Sequence, residues 1–309
     1  MVDSKHQWKA WIYLAPAIVR LLIFTVWPII NTLIMAFQDD YNAMAAVGGQ
    51  TFSFGIKNFQ RASEYRNFLN CLKNTTLLCV ITVPLSTLLA LLISAALNSI
   101  KPLQKLLTTI FFLPYVTNSI AIGMVFAAMF NMVQTKRIIV TAGIINNVIM
   151  FFGGDPVNWI NAGSTYWANM AVMIIYIVWN ALPFKILILL GGMQSINKQY
   201  YDAAKVDGSS RSRILWRITV PLLSPMIAYV VITGFIGGFK EYTSIVGVFG
   251  EKMGPASAEG RLNTMVGYIY DALPQSDYGR ASAAALILFG IILVVTLINL
   301  WVSKKRVHY

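Results

Sequence analysis

The sequence predicts an all-α integral membrane protein with six transmembrane helices. Three observations carry the prediction. Of 309 residues, 57% are apolar and only 12% are charged, whereas a soluble domain carries about a quarter charged residues. Six apolar stretches reach the ~20 residues that cross a bilayer core: 11–37, 75–97, 107–131, 166–191, 220–248 and 282–302. Lys and Arg are unevenly shared among the connecting segments. With the N-terminus inside, the inner segments hold twelve basic residues against three acidic ones, and the outer segments nine against eight. That bias puts both termini on the cytoplasmic side. Helices are expected because an open sheet cannot satisfy its backbone in lipid. The alternating ten-residue segments of a barrel do not occur. The net charge of +12 is therefore a topology signal, and nucleic acid is not an expected partner.

Span 1 (11–37) has an apolar run longer than a signal-peptide core and lacks a small-residue cleavage site after it, so it reads as a retained span. The outer segment that follows contains the amphipathic stretch 59–68, which reads either as an interfacial helix or as a landing surface for an external partner. Span 2 (75–97) contains Cys79; with Cys71 it completes the cysteine inventory, and no structural disulfide is expected. His6 and His308, at opposite ends, suggest no metal cluster. A short inner loop, 98–106, leads to span 3 (107–131). Here Tyr115 and Ser119 are one turn apart and share a face. Trp159 and Tyr166 are anchors near the start of span 4 (166–191). Arg20 and Lys185 fall within about two turns of the inner ends of their spans and read as snorkelling cations.

Segment 192–219 is the substantial inner loop. Ser195 is a candidate helix cap, 197–206 reads as helix with Asp202 and Lys205 one turn apart, and Ala203 and Ala204 offer a smooth surface. Gly208 falls where a left-handed residue would end that helix. Ser209 or Ser210 can cap a second short helix bearing Arg211, Arg213 and Arg217, and Pro221 opens span 5 (220–248). This elbow reads either as a headgroup-binding surface helix or as a helix that fills a groove on another protein. Within span 5, Gly234, Gly237 and Gly238 loosen the stretch before Lys240, Glu241 and Tyr242. Span 6 is 282–302. The whole chain reads as a single transmembrane domain, 1–309.

Asp202-Ala203-Ala204, Gly208, Ile218 and Pro221 together resemble the EAA loop of ABC importer permeases. The likeness continues along the chain in Leu14-Ala15-Pro16-Ala17 with Pro28, Lys73-Asn74-Thr75, Phe112-Leu113-Pro114-Tyr115-Val116, Asn158-Trp159, Gly192-Met193-Gln194-Ser195-Ile196 and Tyr278-Gly279-Arg280-Ala281-Ser282-Ala283. These segments are similar to carbohydrate permeases of the maltose, lactose and glycerol-phosphate type, and most of all to the maltose-type first subunit. Asp202 in place of Glu, Val220 in place of Leu and Asn197 in place of Pro depart from the pattern.

The resemblance implies a permease subunit of a binding-protein-dependent importer of a sugar or oligosaccharide, in a bacterial or archaeal cytoplasmic membrane. It implies as partners a second six-span permease subunit, two ATPase subunits and an extracytoplasmic solute-binding protein. ATP and Mg would be bound by the ATPase subunits, and this chain would hold no cofactor and catalyse no reaction. No G-x-x-x-x-G-K-[ST] occurs, so a phosphate-cradling loop of that kind must come from another chain. The resemblance places ATPase coupling at Tyr201, Asp202, Ala203, Ala204, Asp207, Gly208 and Pro221. It places solute contact at Tyr115, Ser119, Trp179, Asn180, Gly238 and Glu241. The alternatives are a permease for a glycerol-phosphate-type polyol and, from another class, a secondary transporter.

Overall fold

The computed structural model describes residues 7–100, 104–135 and 138–306. Asp3, Lys5, Lys101, Lys136, Arg137, His6 and His308, which entered the topology and metal readings, lie outside them. In chain order the helices are α1 (Gln7–Leu21), α2 (Trp27–Ala36), α3 (Ala43–Val47), α4 (Lys57–Glu64), α5 (Phe68–Ser99), α6 (Gln104–Val116) and α7 (Ser119–Phe130). A hairpin of β1 (Met132–Thr135) and β2 (Ile138–Ala142) follows. Then come α8 (Ile144–Phe151), α9 (Tyr166–Ser195), α10 (Lys198–Val206), α11 (Arg211–Ile214), α12 (Val220–Leu222), α13 (Ser224–Gly238), α14 (Thr243–Phe249), α15 (Met265–Ala272) and α16 (Tyr278–Arg306). Single π-helical turns join α1 to α2 (Leu22–Val26) and α11 to α12 (Leu215–Thr219).

Among the described residues, four helices are long and apolar enough to cross a membrane: Trp11–Ala36, Phe68–Ser99, Tyr166–Ser195 and Tyr278–Lys304. Two bent pairs qualify when each is taken as one span, Leu106–Val116 with Ser119–Phe130 (99°) and Arg211–Leu222 with Ser224–Gly238 (71°). The chain is thus a nearly all-helical, multi-pass membrane protein with up to six spans. The hairpin, which the helix-only reading lacks, forms where the β-branched run Ile138–Thr141 follows the end of α7.

Both bends have local causes. In span 3 the side chain of Asn118 leaves the helix path and accepts from the backbone N–H of Ile120 (2.8 Å) and Ala121 (3.4 Å). It thereby caps α7 as a new helix. In span 5 the bend falls at Leu223, just after Pro221 and just before the Ser224-Pro225 pair that starts α13. The expected single span 220–248 breaks again after Gly238, and α14 begins only at Thr243.

The chain divides into two compact units, residues 1–68 with 268–289 and residues 69–267 with 290–309. In the first, buried Asn58 donates to the carbonyls of Met35 (3.2 Å) and Gln38 (2.6 Å), closing the turn after α2 over α4. The Arg280 guanidinium is sealed 3.8 Å over the Tyr65 ring and pairs with Asp277 at 3.3 Å. In the second unit, α9 carries two apolar cores. Met170, Met173, Tyr176 and Ile177 pack with residues of α5, α7 and α14. Ile186, Leu189, Leu190 and Met193 pack with Ala90, Leu91, Leu223 and Val230. The segment of α9 between these cores is left to line a cavity.

Candidate functional site

The cavity has a volume of about 270 Å³ and is lined from α5 by Thr82, Val83 and Ser86, from α9 by Asn180, Phe184 and Lys185, from α13 by Thr233, Gly234, Gly237 and Gly238, and by Glu241. That volume is just under the ~300 Å³ at which ligand sites usually begin. Its wall is mostly apolar, and the polar groups set into it have causes written in the helices. Thr82 and Ser86 are four residues apart and share a face of α5. Gly238 allows α13 to lie close to α5, because a methyl there would meet Cys79 Sγ at 2.8 Å.

Three of the six predicted solute contacts, Asn180, Gly238 and Glu241, line this cavity together. The other three do not. Tyr115 ends α6 and Ser119 starts α7, so the 99° bend removes the shared face that a continuous helix would give them. Tyr115 is half exposed and stacks on Phe184 (centroids 5.9 Å apart). Ser119 is bound into the protein instead: its hydroxyl lies 3.0 Å from Tyr176 Oη, which donates to the Ser119 carbonyl. Trp179 packs on Phe126 (5.5 Å) outside the cavity lining. Glu241 Oε1 accepts from Ser244 N–H (3.2 Å) at the start of α14, and no ion pair joins it to Lys240 among the described residues.

Lys185 is the residue that sequence reasoning misplaced. It does not snorkel. It is 4% exposed, and its Nζ donates to Ser86 Oγ (2.7 Å), Thr87 Oγ1 (2.9 Å) and the Val83 carbonyl (3.1 Å). The helix extends to Ser195, so Lys185 sits about 15 Å from its end along the axis. That is too deep for the ammonium to reach the surface. The available signal was a lone cation inside an apolar span, which marks a functional site more often than not.

The elbow after α9 follows the predicted pattern with three corrections. The cap of α10 is Asn197, whose side chain accepts from Gln199 N–H (3.0 Å); Ser195 instead closes α9 by donating to the Gly192 carbonyl (2.8 Å). Ala203 is exposed, but Ala204 is buried, so the smooth outward surface is one alanine wide. Asp202 pairs with Lys205 at 3.2 Å. Gly208 has φ 66°, and with Asp207 it reverses the chain as Ser209 N–H returns to the Ala204 carbonyl (2.9 Å). Ser210 caps α11, donating no proton but accepting from Arg213 N–H (3.3 Å). Thr219 Oγ1 reaches Tyr201 Oη at 3.3 Å, tying α10 to the turn before Pro221. Pro221 lies at the end of the first limb of span 5 rather than at the opening of the span.

Residues 82–308 match the family described as "Binding-protein-dependent transport system inner membrane component". The chain is 28% identical over 298 residues to the arabinooligosaccharides transport system permease protein AraP of Bacillus subtilis, covering 95% of this chain and 88% of that one. It is 26% identical to the trehalose/maltose transport system permease protein MalF of Thermococcus litoralis, covering 96% and 94%. Its fold resembles a chain in the crystal structure of a bacterial ABC transporter that imports the acidic polysaccharide alginate, with TM-score 0.78, 22% identity and coverage of 97% and 96%. The match over residues 82–308, which includes both the elbow and the cavity, makes this chain a member of the binding-protein-dependent transport system inner membrane components.

Proposed function

We propose that the chain is one permease half of an ATP-driven importer of a sugar or oligosaccharide. The observation that carries this reading is the exposed elbow 198–219, tied through Thr219 and Tyr201 to the span whose second limb lines the cavity. An inner face rich in Lys198, Lys205, Arg211, Arg213 and Arg217 favours the cytoplasmic side of a bacterial or archaeal cell membrane for this elbow, with both termini on the same side. Two ATPase subunits engage it there through Tyr201, Asp202, Ala203, Ala204, Asp207, Gly208 and Pro221. Their closure moves α10, and the α11–α13 segment transmits the movement to the cavity. A second permease subunit supplies the facing wall, and an extracytoplasmic solute-binding protein delivers solute. The chain itself breaks no bond, and ATP and Mg belong to the ATPase subunits. Sugar as the solute is supported by the names of the relatives and by the neutral polar groups Thr82, Ser86, Asn180 and Thr233 in the cavity wall, which suit hydroxyls.

Purification in mild detergent tests this reading. A tagged chain is expected to co-elute with a second six-span chain and an ATPase at matched stoichiometry. A chain that purifies alone and still carries solute across a vesicle membrane contradicts it.

A further inference from the structure

The cavity contains a charge that a neutral sugar does not need. Lys185 Nζ has three donors, and three neutral oxygens take them. None of the ion pairs among the described residues includes Lys185. The two hydroxyls direct their own protons away from it, Ser86 to the Thr82 carbonyl (2.5 Å) and Thr87 to the Val83 carbonyl (2.7 Å). Both present only lone pairs to the ammonium. Burying a cation without a counter-charge at this depth is costly. Holding α5 to α9 does not require it, since Ser94 Oγ already donates to the Ile186 carbonyl (3.2 Å) one residue away. The carboxylate of Glu241 lines the same cavity, but it is engaged with the backbone at the start of α14.

We propose that Lys185 selects solutes bearing a carboxylate, such as a sugar acid or an oligosaccharide containing one, by donating to that carboxylate from the cavity wall. The inference rests on reading the cavity as the solute path. An incoming carboxylate takes over one of the three donors, and the displaced serine or threonine oxygen turns to a solute hydroxyl. A carboxylate adds one negative charge to a cavity that already holds the Lys185 ammonium and the Glu241 carboxyl group. A phosphate monoester, with a charge of about −1.5 to −2 at neutral pH, would leave an excess beside Glu241 and is the poorer fit. Gly234 keeps the approach open: a methyl there would lie 3.3 Å from Nζ.

Digalacturonate and its neutral dimethyl ester differ in charge and little in shape, so they isolate this effect. Binding of each is measured by calorimetry to the complete transporter in lipid nanodiscs, without nucleotide. Wild type is expected to prefer the acid by about tenfold or more, the range of a charge-assisted hydrogen bond. Lys185→Gln is expected to bring the two ligands within about twofold, and Lys185→Arg to keep the preference. If Lys185→Gln does not assemble, Gly234→Ala serves in its place and is expected to weaken acid binding more than ester binding. No preference in wild type, a preference for the ester, no binding of either, or a preference that survives Lys185→Gln overturns the proposal. The import reading fails on a different observable, the absence of an ATPase from purified wild type, so the two failures are distinguishable.

Discussion

Glu241 and Lys185 are both held by groups that the sequence does not assign to them. An ionisable group inside a span is conspicuous in a sequence, but what it does depends on which acceptors and donors the neighbouring helix brings. Glu241 stands beside glycines, which suggests an open carboxylate, yet it accepts from Ser244 N–H where α14 begins. Lys185 stands near an expected span end, yet α5 offers it Ser86, Thr87 and the Val83 carbonyl. The Lys185 pairing is tertiary and its partners leave no local trace, whereas the Glu241 pairing lies within three residues. Removing the Glu241 acceptor frees a backbone donor at a helix start, a loss of about 1 kcal/mol. Glu241→Ala is therefore expected to lower the thermal midpoint of the purified transporter by a few degrees, and Glu241→Gln, which keeps an acceptor oxygen, by less. Equal midpoints for Glu241→Ala and wild type would show that the cap does not matter.

Long elements were the most legible. Spans 2, 4 and 6 were foreseen from their apolar runs and emerge as unbroken helices Phe68–Ser99, Tyr166–Ser195 and Tyr278–Arg306. The elbow was legible because its punctuation is chemical: Gly208 takes the positive φ that ends α10, and Ser210 caps α11. Spans 3 and 5 were not legible as bent, since Pro114 and Pro221 are both compatible with a continuous kinked helix. The deciding cap at Asn118 is visible only once α7 has turned away. What the bend in span 3 achieves is a close crossing of α7 and α14. A methyl on Gly123 would lie 2.6 Å from the Gly247 backbone, and one on Gly247 would lie 2.9 Å from Gly123 Cα. Backbone cannot yield as a flexible side chain can, so Gly123→Val is expected to prevent stable packing of this pair. Size-exclusion profiles in detergent would show it as lost monodisperse protein; a normal profile with an unchanged melting curve would count against the crossing.

At the scale of the whole molecule, the two cores on α9 and the cavity between them follow from one division of labour. Apolar residues toward both ends of the helix fix it to its neighbours, and between them Asn180 and Lys185 bring polar groups to the cavity wall. The cavity is lined by α13, the limb that continues from the elbow through α12, so a push on α10 has a short covalent route to the cavity. The sequence could indicate the elbow and three of the residues that line the cavity, because Asn180, Gly238 and Glu241 carry polar or backbone character in apolar surroundings. It could not indicate that a bend separates Tyr115 from Ser119, because Asn118 reads equally as a residue inside a continuous helix and as the cap of a new one. The most direct test is solute flux into liposomes reconstituted with the complete transporter and its loaded receptor, comparing wild type with Gly208→Asp, whose side chain is strained at φ 66°. ATP-dependent uptake in wild type that is lost in Gly208→Asp, with the ATPase subunits released, is the predicted result; gradient-driven uptake by this chain without ATP or an ATPase would contradict it.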